Sequence, residues 1–147
     1  MHLTNEIFAV CGVAELPDRR SFTTSETCTA AGGLALVNIF GEGMRGFSKS
    51  GGDTNGFVNA WLSDNCYEDY YARRGLNYCR REMITFCFLA AQGGCEPQLL
   101  AHITVNLRTG NSRSFLRNNI SQCLPYIGYP RTLNALCCVN EAVEPKK

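Results

Sequence analysis

Nine cysteines are spread along this 147-residue chain, and their spacing limits the possible folds more than any other feature of the sequence. No two of them form the C-x-x-C pair that zinc ribbons, zinc knuckles and thioredoxin-like redox sites require. Since the only histidines are His2 and His102, we expect neither a metal nor another cofactor. The cysteines are therefore interpreted as disulfide partners in an oxidising compartment. The candidates are Cys11, Cys28, Cys66, Cys79, Cys87, Cys95, Cys123, Cys137 and Cys138.

An odd number of cysteines leaves one thiol that is free, buried or joined to another chain. Cys137 and Cys138 are adjacent, and a disulfide between neighbours would be strained. Their side chains point about 100° apart in a helix, or to opposite faces in a strand. We therefore expect this doublet to attach the C-terminal segment to the rest of the protein. Each native bridge would stabilise the fold by roughly 2–4 kcal/mol, and the pairing pattern stays open.

The composition indicates one globular domain over residues 1–147, with a polar tail at 141–147. Hydrophobic residues make up 45% of the chain, and its net charge is +1, which favours neither nucleic acid nor a membrane surface. The longest apolar run, residues 83–91, is about half the length of the roughly 18 residues that a membrane span needs. The first residues contain no secretory signal, so a secreted protein would correspond to a mature chain.

Hydrophobic patterning predicts an α+β fold in which helices pack on an antiparallel β-sheet, with disulfides stapling the domain. Residues 99–107 alternate between apolar and polar, and residues 82–91 are apolar on both faces, as in a central strand. The predicted strands are residues 6–14, 57–62, 82–91 and 99–107, and the predicted helices are residues 24–40, 63–74 and 112–123.

Two glycine-containing segments leave alternatives open. A helix over residues 24–40 begins with a capping box, but Gly32 and Gly33 weaken it by about 2 kcal/mol relative to alanine. The alternative is a buried strand over residues 34–40. Residues 41–56 contain six glycines and are predicted to form a long loop that contacts a partner.

His102 is the histidine that the pattern best positions for acid–base chemistry, on the polar face of its predicted strand. Together with Glu82 and one of Arg80, Arg81 or Arg108 on a paired strand, it would form a ribonuclease-like or other small hydrolase site. No spacing in the sequence requires this grouping. We therefore predict no catalytic residue and keep hydrolysis through His102 as the alternative function.

Arginine and tyrosine are concentrated in residues 67–81, YEDYYARRGLNYCRR. Arginine forms paired hydrogen bonds with carboxylates and other anions, and it stacks on aromatic rings. Because the net charge of the whole chain is near zero, we expect the partner to be a protein or an anionic glycan and not nucleic acid. The candidate contact residues are Arg73, Arg74, Arg80, Arg81, Tyr70 and Tyr71.

The layout resembles the avirulence-suppressing (LARS) structural family of small, secreted, cysteine-rich fungal plant-pathogen effectors. The likeness consists of Cys11 beside a predicted strand, a capped helix that contains Cys28, further sheet, and the aromatic–arginine stretch at 67–81. The sequence departs from the family in that Trp61 precedes this stretch, and in its additional C-terminal cysteines. The resemblance implies an antiparallel sheet covered by helices, secretion into plant tissue, and recognition by or masking from immune receptors. It carries over no catalytic residues.

Together these features predict a monomeric virulence or avirulence effector in the host apoplast. It would bind a host protein or immune receptor through the arginine–tyrosine segment and the glycine-rich loop. A toxin or a protease inhibitor is a further alternative. The triplet Asn119-Ile120-Ser121 matches an N-glycosylation acceptor, and the sequence does not decide whether it is used.

Overall fold

The fold is known from a computed structural model, which describes residues 2–14, 23–24, 26–73 and 75–142. These residues form helices and no strand, so the predicted α+β fold with an antiparallel sheet is wrong. Two short 3₁₀ turns, Glu42–Met44 and Phe47–Lys49, lie between the second and third helices. The helices are α1 (His2–Val10), α2 (Cys28–Phe40), α3 (Gly52–Trp61), a π-helix (Leu62–Tyr71) that continues α3, α4 (Tyr78–Gln92), α5 (Glu96–Thr109) and α6 (Arg113–Glu141).

Each of the four predicted strands lies wholly or largely in a helix. Residues 6–14 enter α1, residues 57–62 end α3, residues 82–91 lie in α4 and residues 99–107 in α5. The buried positions Leu99, Ile103 and Asn106 of α5 are spaced by four and three residues, which is the helical period. The apparent alternation was therefore coincidental, and the β-branched residues were a weak guide because packing overrides strand propensity.

The ends of α4 and α5 follow local signals that the sequence contains. The side chain of Asn77 accepts a hydrogen bond of 3.0 Å from the backbone N–H of Arg80 and so caps α4. Gly93 ends α4, and Pro97 lies in the first turn of α5, where its missing N–H is not needed. The predicted break between the two segments is confirmed, although it separates two helices and not two strands.

Helices α4, α5 and α6 pack together around the larger of two hydrophobic cores. This core contains the fully buried side chains of Phe86, Ile103, Leu116, Ile120 and Val139. Removing such a side chain from water contributes roughly 1.5–3 kcal/mol each, so these five account for much of the helix packing. Among the described residues, no helix is long and apolar enough to cross a membrane.

Helix α6 bends sharply within residues 125–130, where a glycine and two prolines interrupt it. Gly128 has a φ of 76°, which is left-handed backbone that glycine adopts most easily, and prolines flank it at positions 125 and 130. The bend follows the helix predicted for residues 112–123, which is confirmed. In the second arm Cys137 is exposed and Cys138 is buried, as expected from the angle between adjacent helical side chains.

The smaller core lies between α2 and the π-helix, with one residue from α5. Its buried side chains include Leu36 and Ile39 of α2, Tyr67 and Tyr71 of the π-helix, and Val105 of α5. Val105 and its neighbour Ile103 place α5 in both cores, so this helix joins the two halves of the protein.

Helix α2 contains Gly32 because its backbone meets the π-helix at that point. A Cβ atom at position 32 would lie 1.9 Å from the carbonyl oxygen of Ser63, which leaves no room for a side chain. The glycine pair that weakened the helix prediction is therefore a requirement of packing. The helix begins at Cys28 and not at residue 24, and the alternative strand over residues 34–40 is wrong.

The glycine-rich segment 41–56 is a loop only in part. It contains both 3₁₀ turns, and α3 begins within it at Gly52. Gly46 and Gly51 precede helical turns with φ values of 78° and 94°. The glycines therefore provide left-handed backbone between short helical turns. The long loop predicted from the composition is not formed over the whole segment.

We predict opposite effects of alanine at the two adjacent glycines of α2. Gly32→Ala should lower the free energy of unfolding by about 2 kcal/mol or more, because the new methyl group collides with backbone of the π-helix. Gly33→Ala should raise it by about 0.5–1 kcal/mol, because nothing lies within 4 Å of its added Cβ and alanine favours helix. Urea unfolding of the two variants measures both changes. Equal effects at the two positions would contradict the close approach of α2 to the π-helix.

Candidate functional site

A buried carboxylate and an imidazole meet where α4 packs on α5. The Oε2 atom of Glu82 lies 2.7 Å from Nδ1 of His102. The Glu82 side chain is fully buried, and 12% of the His102 side chain is exposed. The ring of Phe40 packs edge-on against the imidazole with 5.3 Å between the ring centroids. The imidazole is therefore held between a carboxylate and an aromatic ring, with part of its surface open.

Two buried asparagines fix the helices that carry this pair. Nδ2 of Asn106 donates to the backbone carbonyls of Glu82 (3.0 Å) and His102 (2.8 Å). Nδ2 of Asn111 donates to Oδ1 of Asn106 (2.7 Å) and to the carbonyl of Cys79 (2.9 Å). The thiol of Cys79 in turn donates to Oδ1 of Asn111 at 2.9 Å. This amide network holds α4 and α5 in register at the level of the carboxylate.

One oxygen of Glu82 has no partner in this arrangement. Its Oε1 atom is buried and accepts no hydrogen bond from the described residues. A buried polar atom without a partner costs roughly 1–3 kcal/mol, and more when it is charged. Such atoms are rare in native proteins and are found where a group takes part in chemistry or binding. The Tyr71 side chain nevertheless interacts with this carboxylate.

Two tyrosines of the π-helix lie close to the same carboxylate. The hydroxyl of Tyr71 is 2.6 Å from Oγ1 of Thr85 on α4. Burial, and after it the negative charge of Glu82, raises the pKa of Tyr71. The pKa of Tyr67 is raised by burial and by the neighbouring charges of Cys66 and Glu82. Both tyrosines therefore stay protonated at neutral pH. π-Helices are uncommon, and they often mark functional sites.

A mostly apolar groove of about 350 Å³ begins at Tyr71 and its neighbour Tyr70. Tyr71 and Thr85 belong both to the groove and to the polar cluster around Glu82, so the groove reaches the surroundings of the carboxylate. Burial raises the pKa of the Cys66 thiol in the groove, and the charge of Glu82 adds to the rise. The residues that line the groove include Cys66, Tyr70, Tyr71, Leu76, Thr85 and Phe88.

The predicted arginine–tyrosine contact residues have different environments. Arg81 donates hydrogen bonds to the carbonyls of Leu76 (2.9 Å), Arg73 (2.8 Å) and Tyr70, so it holds the turn between the π-helix and α4. Arg80 and Tyr70 are exposed, whereas Tyr71 is buried. Arg74 lies outside the described residues.

The grouping of His102 with Glu82 that the sequence suggested is present, but on two helices and without an arginine. Arg81 is bonded to the turn, and Nη1 of Arg108 donates to the carbonyl of Ile39 at 3.3 Å. Within the described part of the chain, no arginine hydrogen-bonds to Glu82 or His102. The structure thus supplies the acid–base pair of the predicted hydrolase site but not its phosphate-binding group.

Sequence reasoning missed the two asparagines and the role of Tyr71 near Glu82. The available signal was the four-residue spacing from His102 to Asn106, which places both on one face of a helix. That spacing was hidden because residues 99–107 were interpreted as a strand. Asn111 follows α5, and nothing local indicates that it turns back to meet Asn106.

The nine cysteines are all described, and none is joined to another in the structure. The predicted bridges therefore stay a prediction. Among the described residues, no group of three or more histidine, cysteine, aspartate or glutamate side chains is arranged to hold a metal ion.

Asn119, whose triplet matches an N-glycosylation acceptor, is placed unfavourably for glycosylation. It lies inside α6, and its Nδ2 atom is buried without a hydrogen-bond partner among the described residues. A glycan is attached through this nitrogen, so it cannot be added to the folded chain without moving the side chain.

Compared with known proteins, the chain matches no family model and no curated protein at significant similarity. The function must therefore be argued from the geometry of the site.

We predict that Tyr67 and Tyr71 resist ionisation until the protein unfolds. Their pKa values are raised above the ordinary value of 10.0, so the stability they contribute is present below pH 10.0 and is lost as the pH rises beyond it. In an alkaline titration followed by tyrosinate absorbance, two of the six tyrosines should ionise only together with loss of helicity. This late phase should be absent in a Tyr67→Phe/Tyr71→Phe variant, and its persistence there would show that other tyrosines cause it.

Proposed function

We propose that Glu82 and His102 form the acid–base centre of an enzyme that transfers protons to and from a small organic molecule. The observation that carries this proposal is the fully buried Glu82 carboxylate, 2.7 Å from the Nδ1 atom of a partly exposed imidazole. A carboxylate that orients an imidazole by a hydrogen bond is a recurring arrangement in general acid–base catalysis. His102 carries the proton in this reaction. Glu82 orients the imidazole ring and stabilises its positively charged form.

The division of roles follows from hydrogen bonding at the two ring nitrogens. The carboxylate accepts a hydrogen bond from Nδ1–H, and this leaves the lone pair of the neutral imidazole on Nε2. Nε2 lies on the side of the imidazole ring away from Nδ1 and therefore away from the buried Glu82 carboxylate. When Nε2 takes a proton, the nearby carboxylate stabilises the imidazolium that forms, and the proton can then be returned to the leaving group or product.

A purely structural role explains the pair less well. No described residue hydrogen-bonds to Nε2 of the partly exposed His102, so this nitrogen is available to a substrate or to water. The structural reading also leaves Oε1 of Glu82 buried and unpaired, which lowers stability without compensation. Both features are expected if a bound molecule or water completes the site.

The surroundings also limit the reaction class. Among the described residues, no serine, threonine or cysteine is hydrogen-bonded to His102, so covalent catalysis by an activated hydroxyl or thiol is not supported. The absence of a bonded arginine in the same region disfavours a phosphodiester substrate. The neighbouring rings of Phe40, Tyr67 and Tyr71 favour a mostly apolar substrate, on which His102 acts directly or through water.

We predict that His102 reacts with an imidazole reagent in the folded protein and that Glu82 accelerates this reaction. Diethyl pyrocarbonate should acylate His102 in the folded protein. At an alkaline pH where the imidazole is neutral in both proteins, the Glu82→Gln variant should react several-fold more slowly, because an amide oxygen accepts the Nδ1–H hydrogen bond more weakly than a carboxylate and leaves Nε2 less nucleophilic. Peptide mass spectrometry measures the modification of each histidine separately. Trypsin cleavage yields one peptide, residues 82–108, that contains His102, and another, residues 1–19, that contains His2. Hydrolysis of p-nitrophenyl acetate should fall by about 10²-fold in His102→Ala.

The chain provides its own control for these measurements. His2→Ala removes the other histidine and should leave both the ester hydrolysis and the modification of His102 unchanged. The proposal fails if His102 is unreactive in the folded protein, or if the rate of ester hydrolysis is the same after His102→Ala.

We propose protein binding as a second function, supported by an exposed apolar rim around the groove. Tyr70, Leu76 and Phe88 are 56%, 40% and 70% exposed, and grouped apolar side chains of this size are typical of binding sites. Arg73 and Arg80 lie on the segments that border the groove, which favours a partner whose apolar side chain is flanked by carboxylates.

This second function corresponds to the secreted effector that the cysteine content and the family resemblance predict. The partner would be a host protein or an immune receptor in the apoplast. The sheet that the resemblance implies is not formed by the described residues. What supports the proposal is therefore the exposed rim and the cysteine content, and not the fold.

We predict that the host response to the purified protein depends on the rim. Tyr70→Ser/Phe88→Ser and Arg73→Ala/Arg80→Ala should each abolish the immune response in infiltrated leaf tissue. Tyr126→Ser/Tyr129→Ser changes two aromatic residues on α6 that are at least as exposed and should preserve the response. Arg81 is left in place because it holds the turn. An unchanged response in both rim variants would remove this function, and His102→Ala should leave the response intact.

A further inference from the structure

Two of the nine cysteines face each other across the packed helices of the larger core. Cys87 lies on α4 and Cys123 on the first arm of α6, and both are half-buried against the same hydrophobic cluster. Burial, and after it the neighbouring Cys123, raises the pKa of Cys87 to about 12. The two thiols are therefore neighbours on helices that pack together, although the residues are far apart in sequence.

The other cysteines have different surroundings. The thiol of Cys79 donates to Oδ1 of Asn111 at 2.9 Å, and that of Cys95 donates to the carbonyl of Leu89 at 3.4 Å. Cys137 is exposed while its neighbour Cys138 is buried, so this doublet faces two environments. The contact between Cys87 and Cys123 selects one pairing from the many that nine cysteines allow.

We propose that Cys87 and Cys123 form a disulfide that joins α4 to α6 when the protein meets an oxidant of the disulfide class, such as oxidised glutathione. Helices α4 and α6 already pack against each other, so the bond needs no change in their order or direction. A disulfide requires Cβ atoms about 3.5–4.5 Å apart, and the two cysteines are neighbours on packed helices that face the same hydrophobic cluster. This inference does not depend on the proton-transfer proposal.

The exchange is balanced by the oxidant. One cysteine thiol loses its proton, and its thiolate attacks a sulfur of oxidised glutathione, forming a mixed disulfide and releasing a glutathione thiolate. The second cysteine thiolate attacks the protein sulfur of that mixed disulfide and displaces the other glutathione thiolate. The two released thiolates take up the two protons. The protein is oxidised by two electrons, and one oxidised glutathione is reduced to two molecules of glutathione.

The bond would affect both the stability and the site-bearing helix. It closes a loop that includes all of α5, and a cross-link of this kind restricts the unfolded chain. The oxidised protein should therefore have a higher Tm than the reduced protein. Helix α4 also carries Glu82 and Phe88, so the cross-link attaches the helix of both candidate sites to α6.

Non-reducing peptide mapping tests the pairing. The reduced full chain is treated with oxidised glutathione, the remaining thiols are blocked with iodoacetamide, and trypsin is added. The expected product is residues 82–108 linked to residues 118–131, lighter than the sum of the two peptides by two hydrogen atoms. Because the first peptide contains both Cys87 and Cys95, single serine variants are needed to identify the bonded residue.

Serine variants of Cys87 and Cys95 should give opposite results, and these results identify the residue that is bonded to Cys123. Cys95→Ser should keep the cross-link, whereas Cys87→Ser and Cys123→Ser should each abolish it and the oxidation-dependent rise in Tm. Circular dichroism establishes that each variant is folded, and loss at both ends excludes a defect specific to one variant. A cross-link that survives Cys87→Ser but not Cys95→Ser overturns the proposal. Wild-type protein that carries only mixed disulfides with glutathione, or stays fully reduced, also overturns it.

Discussion

The burial of the Glu82 carboxylate is the constraint on which the rest of the structure depends. A charge without contact to solvent is stable only if nearby groups supply hydrogen bonds and opposite charge. His102 and Asn106 provide these contacts from α5, the imidazole to the carboxylate and the amide to the backbone of the same residue. Helices α4 and α5 must therefore meet in one register. Helix α6 packs against the apolar side chains that this register brings together, among them Phe86 and Ile103.

The smaller core brings aromatic side chains to the other side of the carboxylate. Gly32 allows α2 to approach the π-helix closely, and this contact buries Tyr67 and Tyr71 near Glu82. Phe40, at the end of α2, then packs on both Tyr67 and His102. A glycine without chemical function thus determines the apolar environment of the acid–base pair. The two proposed functions use different surfaces, one centred on His102 and the other on the exposed rim formed by Tyr70 and Phe88.

Part of this site was accessible from the sequence. His102 was recognised as the best-placed base, and Glu82 was named as a partner, although both were assigned to strands. The error lies in two runs: residues 82–91 are apolar on both faces, which suits a buried helix as well as a buried strand, and the alternation in residues 99–107 was coincidental. For Arg81, the residue type alone does not reveal the environment. Arg81 has the residue type of a contact group, but its guanidinium is bonded to carbonyls of its own chain, which only a folded turn brings together.

The sequence by itself determined the helix boundaries that depend on short-range chemistry, such as the Asn77 cap and the glycine–proline signals between α4 and α5. It also determined the divergence of Cys137 and Cys138, because adjacent residues must point in different directions. Only the tertiary structure decided the choice of helix over strand, the unpaired oxygen of Glu82 and the contact between Cys87 and Cys123. These features depend on residues distant in sequence, whose packing free energy exceeds local propensity and leaves no periodic signal in the chain.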